Sequence, residues 1–133
     1  MLYNIFMLNR HETREKIVFA LYQHLLLKKD INECFFDNFE DENDLALKIQ
    51  LDLGTNKSVY IDEISKYLTN WQFDRINLVE QAILLSAVSE LKLGLNDRAV
   101  VIDEAVNLTK TYCDEDSYKY INGVLDNICV SSQ

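Results

Sequence analysis

The sequence predicts an all-α protein. Its 133 residues contain no proline and only three glycines. Apolar residues recur at helical spacing almost throughout, and strand signals are weak. A chain of this length can bury one real core, and its 48% hydrophobic share is ordinary for a globular protein. No internal repeat, low-complexity segment or interdomain linker interrupts it. One domain is therefore expected over residues 9–130, preceded by an apolar N-terminal extension, residues 1–8, that need not be ordered.

The elements follow in order. A first helix is predicted from about Asn9 to Lys28, with Ile17, Ala20, Leu21 and Leu25 as its core stripe and Arg10 and Arg14 one turn apart on the other side. A short second helix lies within Ile31–Phe39. The acidic run Glu40–Asp44 reads as a solvated loop and helix start. A long third helix follows from about Asp44 to Leu68. Leu47, Leu51, Gly54, Ser58, Ile61, Ile64 and Leu68 track its expected inner face, with Gly54 allowing a bend or close crossing. After a break at Asn70–Phe73, where Trp71 is expected as a core plug, a fourth helix spans about Asp74 to Leu93. It carries Ile76, Val79, Ile83, Leu84, Ala87 and Leu91, and Gly94 ends it. Asn96 or Asp97 caps a fifth helix, and Asp114 or Asp116 a sixth. In that last helix Gly123 interrupts the apolar series Tyr120, Ile121, Val124, Leu125 and Ile128. A mid-helix glycine costs roughly 1 kcal/mol relative to alanine, which predicts a close backbone contact there, with another helix or with a ligand.

Charge is unevenly spread. The net value is −9, awkward for a nucleic-acid binder unless cations are gathered locally. Residues 1–29 carry five cations against two carboxylates, a balance of +3. Residues 30–63 sum to −8, residues 64–98 to zero and residues 99–133 to −4. Screening over about 8 Å lets the basic first helix act as a local patch.

Chemistry-bearing motifs are absent. No nucleophile–base arrangement or phosphate-cradling glycine loop is visible, so no catalysis is expected. Cys34, Cys113 and Cys129 form no metal or redox pair and read as reduced cytosolic thiols. His11 and His24 lack further ligands at metal-binding spacing, and no cofactor is implied. No apolar run approaches the roughly 20 residues of a membrane span. Met1–Leu8 is too short for a signal peptide and lacks its flanks, and Met7 offers an alternative start. A cytoplasmic protein is expected.

Two segments near the C-terminus carry a resemblance. Ile102-Asp103-Glu104-Ala105-Val106-Asn107-Leu108-Thr109-Lys110 and Lys119-Tyr120-Ile121-Asn122-Gly123-Val124-Leu125-Asp126 resemble the last two helices of the NusB family, bacterial transcription antitermination factors. The second match is long and unusual in composition. Arg10-x-x-x-Arg14-Glu15 with Ala20-Leu21-Tyr22-Gln23 resembles the family's first helix. Ile61-Asp62, Asn70-Trp71, Arg75 and Glu90-Leu91 fall in the family's order, so the likeness runs from about Asn9 to Ile128.

The resemblance implies two three-helix bundles packed crosswise around a shared core. It implies a non-enzymatic factor that holds boxA-like single-stranded RNA of rRNA transcripts together with the ribosomal protein NusE, the pair joining the transcribing polymerase. By position, Arg10, Arg14 and Lys16 would meet phosphates, while Tyr67 and Tyr120 would stack on unpaired bases. Lys119 and Asp116 would sit at the same edge, and Tyr22 and Glu80 would face the protein partner. Departures concern the RNA side. The opening arginine cluster is thinned to two plus His11, and the family's Arg and Tyr in the fourth helix are Leu85 and Ser89 here. A proline common before the fifth helix is Asp97. The alternative is therefore a NusB-like protein-interaction module with weak or lost RNA binding. An RNA-binding domain of rRNA cytosine methyltransferases is disfavoured because no catalytic domain follows.

Overall fold

The computed structural model describes residues 9–40 and 43–131, with side chains through Cys129. Among the described residues there are six α-helices and no strand. They are α1 (Arg10–Leu27), α2 (Ile31–Asn38), α3 (Asp44–Ser65), α4 (Leu78–Leu93), α5 (Arg98–Tyr112) and α6 (Ser117–Ser131), with a 3₁₀ turn at Phe73–Arg75 before α4. The predicted extension, residues 1–8, lies outside the described residues, as do Asp41 and Glu42 of the acidic run.

Local chemistry sets most helix starts. The side chains of Asn9, Asp30, Asn43 and Asn77 accept hydrogen bonds from the backbone N–H groups of Glu12, Asn32, Ala46 and Val79 at 2.7–3.0 Å. Each satisfies a donor that the first turn leaves orphaned. Asp97 occupies the position before α5 but makes no such side-chain bond. The Asn96 amide instead donates to the Glu90 carboxylate at 2.8 Å. Gly94 ends α4 in the left-handed region, φ 66°, as its sequence position predicts. Lys28 ends α1 in the same region, φ 55°, without the freedom of a glycine.

The helices form two groups of three, α1–α3 and α4–α6, joined chiefly by α1 and α3 packing on α4. Every residue of α4 from Glu80 to Glu90 is buried, so this helix is the shared core. Ser89 reaches Asp52 (2.7 Å) and Lys92 reaches Glu63 (3.0 Å), which ties α4 to α3 at two points. Ile17, Ala20, Leu21, Leu45, Ile49, Leu53, Ile64, Ile121 and Leu125 complete the interior.

Four local expectations are corrected. The inner face of α3 is Leu45, Ala46, Ile49, Leu53, Tyr60 and Ile64, whereas Leu47 and Leu51 point outward. Trp71 is 64% exposed and plugs nothing. The fourth helix begins at Leu78, because Ile76 leaves the 3₁₀ turn with extended backbone. Gly54 and Gly123 make no close contact with another helix: a Cβ at either would meet no described protein atom within 4 Å.

Candidate nucleic-acid and partner interface

The basic start of α1 is more committed to structure than its sequence suggests. Arg10 is exposed. Arg14 is only 5% exposed, and its guanidinium grips Glu90 on α4 with Nε–Oε1 2.9 Å and Nη2–Oε2 2.7 Å. The hydrogen bonds to Glu90 raise the Arg14 pKa further. The fork-to-fork geometry is the strongest form of such a pair. The Arg14 fork is thus committed to Glu90 and turned away from solvent. Lys16 is half-buried, with its ammonium 3.4 Å from the Asn38 carbonyl.

His11 fills part of the gap. Its ring stands 3.0 Å from the Glu104 carboxylate on α5, and that bond lifts its pKa above the usual value. Next along α1, Glu15 accepts a hydrogen bond from the Tyr112 hydroxyl. Phe19 packs edge-on against the Tyr112 ring at 5.4 Å. Phe19 and Tyr112 are 38% and 40% exposed, which makes them accessible aromatic faces that the sequence reading did not single out. The signal was available as an aromatic on the polar side of α1, but its partner is 93 residues away in sequence.

The remaining candidates lie toward the other end of α4. Glu80, in its first turn, is buried. Its charge adds to burial in raising the pKa values of Cys113, to about 11, and of Tyr120. Tyr120 is half-buried against the core, and its hydroxyl oxygen is enclosed beside the buried Glu80 carboxylate. Lys119 is exposed and lies 3.5 Å from Asp116, one turn back. Tyr22 is half-buried on the core. Arg14 sits at the Glu90 end of α4 and Phe19 at the Cys113 end of α5, so Tyr22 comes toward the Glu80 end. Tyr67, just beyond α3, packs partly on the core. It lies near Glu63, which Lys92 holds at the Glu90 end.

The candidates thus form two clusters. Arg10, His11 and Tyr67 lie toward one end of α4, and Lys119, Asp116, Tyr120, Tyr22 and Glu80 toward the other. The α1–α5 face carrying Phe19 and Tyr112 joins them. No group of three or more His, Cys, Asp or Glu side chains suited to a metal occurs among the described residues, and the three cysteines are free thiols. No described helix is long and apolar enough to cross a membrane.

Residues 11–129 match the model of the NusB family. The chain belongs to the NusB family. Transcription antitermination protein NusB of Sulfurovum sp. (strain NBC37-1) is 40% identical over 129 residues, covering 92% of this chain and 98% of that protein. Among solved structures, T. maritima NusB superposes with a TM-score of 0.85 at 29% identity, covering 94% of this chain and 93% of that one. A structure of the antitermination factors NusB and NusE in complex with dsRNA superposes at 0.82 and 28% identity, covering 92% and 96%. The NusB fold thus accounts for both bundles and for the crosswise packing on α4.

Proposed function

We propose that this NusB-family chain is a non-catalytic, cytoplasmic transcription antitermination factor that binds boxA-like RNA of rRNA transcripts jointly with a NusE-type partner. The observation that carries this reading is the α1–α5 face. It holds cations at one end (Arg10, His11), an exposed aromatic pair in the middle (Phe19, Tyr112), and Lys119 with Tyr120 at the other end. Cations to hold phosphates and aromatic faces to stack unpaired bases are what single-stranded RNA requires. A NusB chain that this one resembles occurs together with NusE in complex with dsRNA. Lys16 and Tyr67 flank that face, Asp116 borders Lys119, and Tyr22 and Glu80 mark the partner side near the first turn of α4.

Charge argues for a joint surface. A chain of net charge −9 attracts RNA poorly by itself, whereas a basic ribosomal protein is drawn to it. The partner then supplies cations this chain lacks. Linkage requires that the factor NusE adds to RNA affinity equals the factor RNA adds to NusE affinity. That factor is expected to be at least tenfold, about 1.4 kcal/mol. The test is a pair of titrations with boxA-like RNA, with and without NusE. Tight NusE binding with no coupling to RNA would establish the second reading, a protein-interaction module, which the burial of Arg14 specifically favours. Because Glu80 is buried, its partner role is best probed by Glu80→Gln, which keeps the volume.

A further inference from the structure

The seam where α1 meets α5 carries a carboxylate to which the RNA function gives no role. The two helices run side by side in the same direction. His11, Glu15 and Phe19 follow one another by single turns along α1 and face Glu104 and Tyr112 on α5. His11 meets Glu104 at 3.0 Å. Glu15 Oε2 accepts a hydrogen bond from the Tyr112 hydroxyl at 2.5 Å. Phe19 stands against Tyr112 with ring centroids 5.4 Å apart and planes inclined by 75°.

These contacts hold the Tyr112 ring at its tip and on one side, yet the ring stays open to solvent. A fixed, open ring is a stacking platform that needs no further ordering when a base arrives. A base lying flat on Tyr112 is parallel to the ring, and the axis of the ring through its hydroxyl ends at Glu15. The edge of that base therefore comes to the Glu15 carboxylate. Among the described residues Tyr112 engages Oε2, and Oε1 is left for a ligand.

A carboxylate accepts hydrogen bonds and donates none, so the edge that meets it must donate. Guanine presents two adjacent donors, N1–H and N2–H, which match Oε1 and the second lone pair of Oε2. Adenine and cytosine present one amino group beside a ring nitrogen whose lone pair faces the carboxylate. Uracil sets a single imino proton between two carbonyls, and both repel it. The carboxylate thus selects by attraction and by repulsion together.

We propose, on the RNA function argued above, that Glu15 is a base-selecting residue that accepts from the Watson–Crick edge of a guanine stacked on Tyr112. Phe19 walls the platform, and His11, one turn before Glu15, offsets the negative charge toward the phosphates.

The test titrates a uridine heptamer, the same RNA with a central guanosine, and the same RNA with a central inosine, which lacks the 2-amino group. Each is measured with the full chain alone and with the chain saturated with NusE. The guanosine RNA should bind about fivefold or more tighter than the uridine heptamer, with the inosine RNA between them, and it should shift the ring signals of Tyr112 and Phe19 in NMR spectra. Glu15→Gln keeps the side-chain volume and an acceptor for Tyr112. It should weaken the guanosine RNA by about fivefold or more and leave the uridine heptamer equal or tighter, because an amide can donate to a uracil carbonyl. Retained far-UV helicity checks the fold of the variant. Equal binding of the three RNAs, or a guanosine preference that survives Glu15→Gln, would overturn the proposal and leave RNA binding itself standing. Failure of all three RNAs to bind, with NusE and without it, would overturn the RNA function and this proposal with it.

Discussion

Arg14 and Glu90, 76 residues apart in sequence, meet inside the protein as a two-bond ion pair that fastens α1 to α4. The Asn96 amide donates to the same carboxylate, so the buried charge is held from three directions. Removing one partner leaves the other charged and unpaired. Such losses run about 3–5 kcal/mol, whereas replacing both by apolar residues of similar volume is often neutral. Arg14→Ala should therefore lower the unfolding free energy by about that amount, and Arg14→Met with Glu90→Leu should recover most of it. Urea titrations of the three proteins check this. A loss below about 1 kcal/mol in Arg14→Ala would mean the pair is not holding the helices together.

The same pair limits the electrostatic footprint on RNA. With Arg14 enclosed and Lys16 turned toward Asn38, the accessible cations of the proposed face are Arg10, Lys119 and protonated His11. Each phosphate contact to a single strand contributes about −0.7 to the slope of log K against log salt. The isolated chain should therefore show a slope of about −1 to −2. With NusE bound the slope should steepen, since the partner adds contacts. An equally shallow slope in the joint complex would argue that NusE contributes no cations to the RNA site.

Tyr120 tests stacking against packing. Its ring packs partly on the core, while its hydroxyl is enclosed beside the buried Glu80 carboxylate. Tyr120→Phe removes that hydroxyl and should keep RNA affinity because the π-face remains. Tyr120→Leu keeps apolar volume but removes the face, and should weaken RNA by about 1–3 kcal/mol. If both variants bind RNA like the parent, Tyr120 serves the core alone.

These sites show what the sequence could and could not reveal. The starts of α1, α2 and α3 were legible because turn-forming polar residues precede apolar periodicity there, and Gly94 marked its own left-handed position, whereas α4 starts later than expected and Asp97 makes no cap bond. The α3 face was misread because Leu47 and Leu51 repeat at the same four-residue spacing as the buried Leu45, Ile49 and Leu53. Periodicity finds a stripe but not which stripe faces inward. The Arg14–Glu90 pair had no local signature at all, since arginine in a first helical turn looks the same whether solvated or buried. The Phe19–Tyr112 pair was hidden for the same reason of distance. Trp71 is exposed where a core plug was expected, because the turn at Phe73–Arg75 buries Phe73 instead.

His11 gives the proposed RNA face a pH dependence. The hydrogen bond to Glu104 raises its pKa above 6.5 in the folded chain. The sign follows: the His11–Glu104 contact is fully present below pH about 6.5 and is lost as pH rises through the folded pKa. The added positive charge in the first turn of α1 is lost over the same range. RNA affinity of the isolated chain should fall as pH rises through this window. His11→Gln should flatten that part of the profile, and Glu104→Gln should move it to lower pH. An imidazole NMR titration sets the window independently. A profile unchanged by His11→Gln would remove His11 from the RNA face.

Backbone substitutions separate fold from function most cleanly. Gly54 lies mid-helix in α3 with open space where a Cβ would project. Glycine there is less favourable than alanine by about 0.8–1.0 kcal/mol. Gly54→Ala should therefore stabilise by about that amount, seen as a higher urea midpoint at unchanged slope. Lys28 presents the converse case: a lysine held at φ 55° at the end of α1, in a region costing about 1–2 kcal/mol for residues with a Cβ. Lys28→Gly should stabilise too, by an amount reduced by the extra freedom glycine gains when unfolded. Neither position belongs to the proposed RNA or partner face, so both variants should titrate boxA-like RNA and NusE like the parent. Gly123→Ala is the informative third. The same open space predicts the same gain in stability, but Gly123 lies one turn beyond Lys119 and Tyr120. Stabilisation together with weaker RNA or NusE binding would mean that a ligand, rather than a neighbouring helix, approaches the backbone at Gly123.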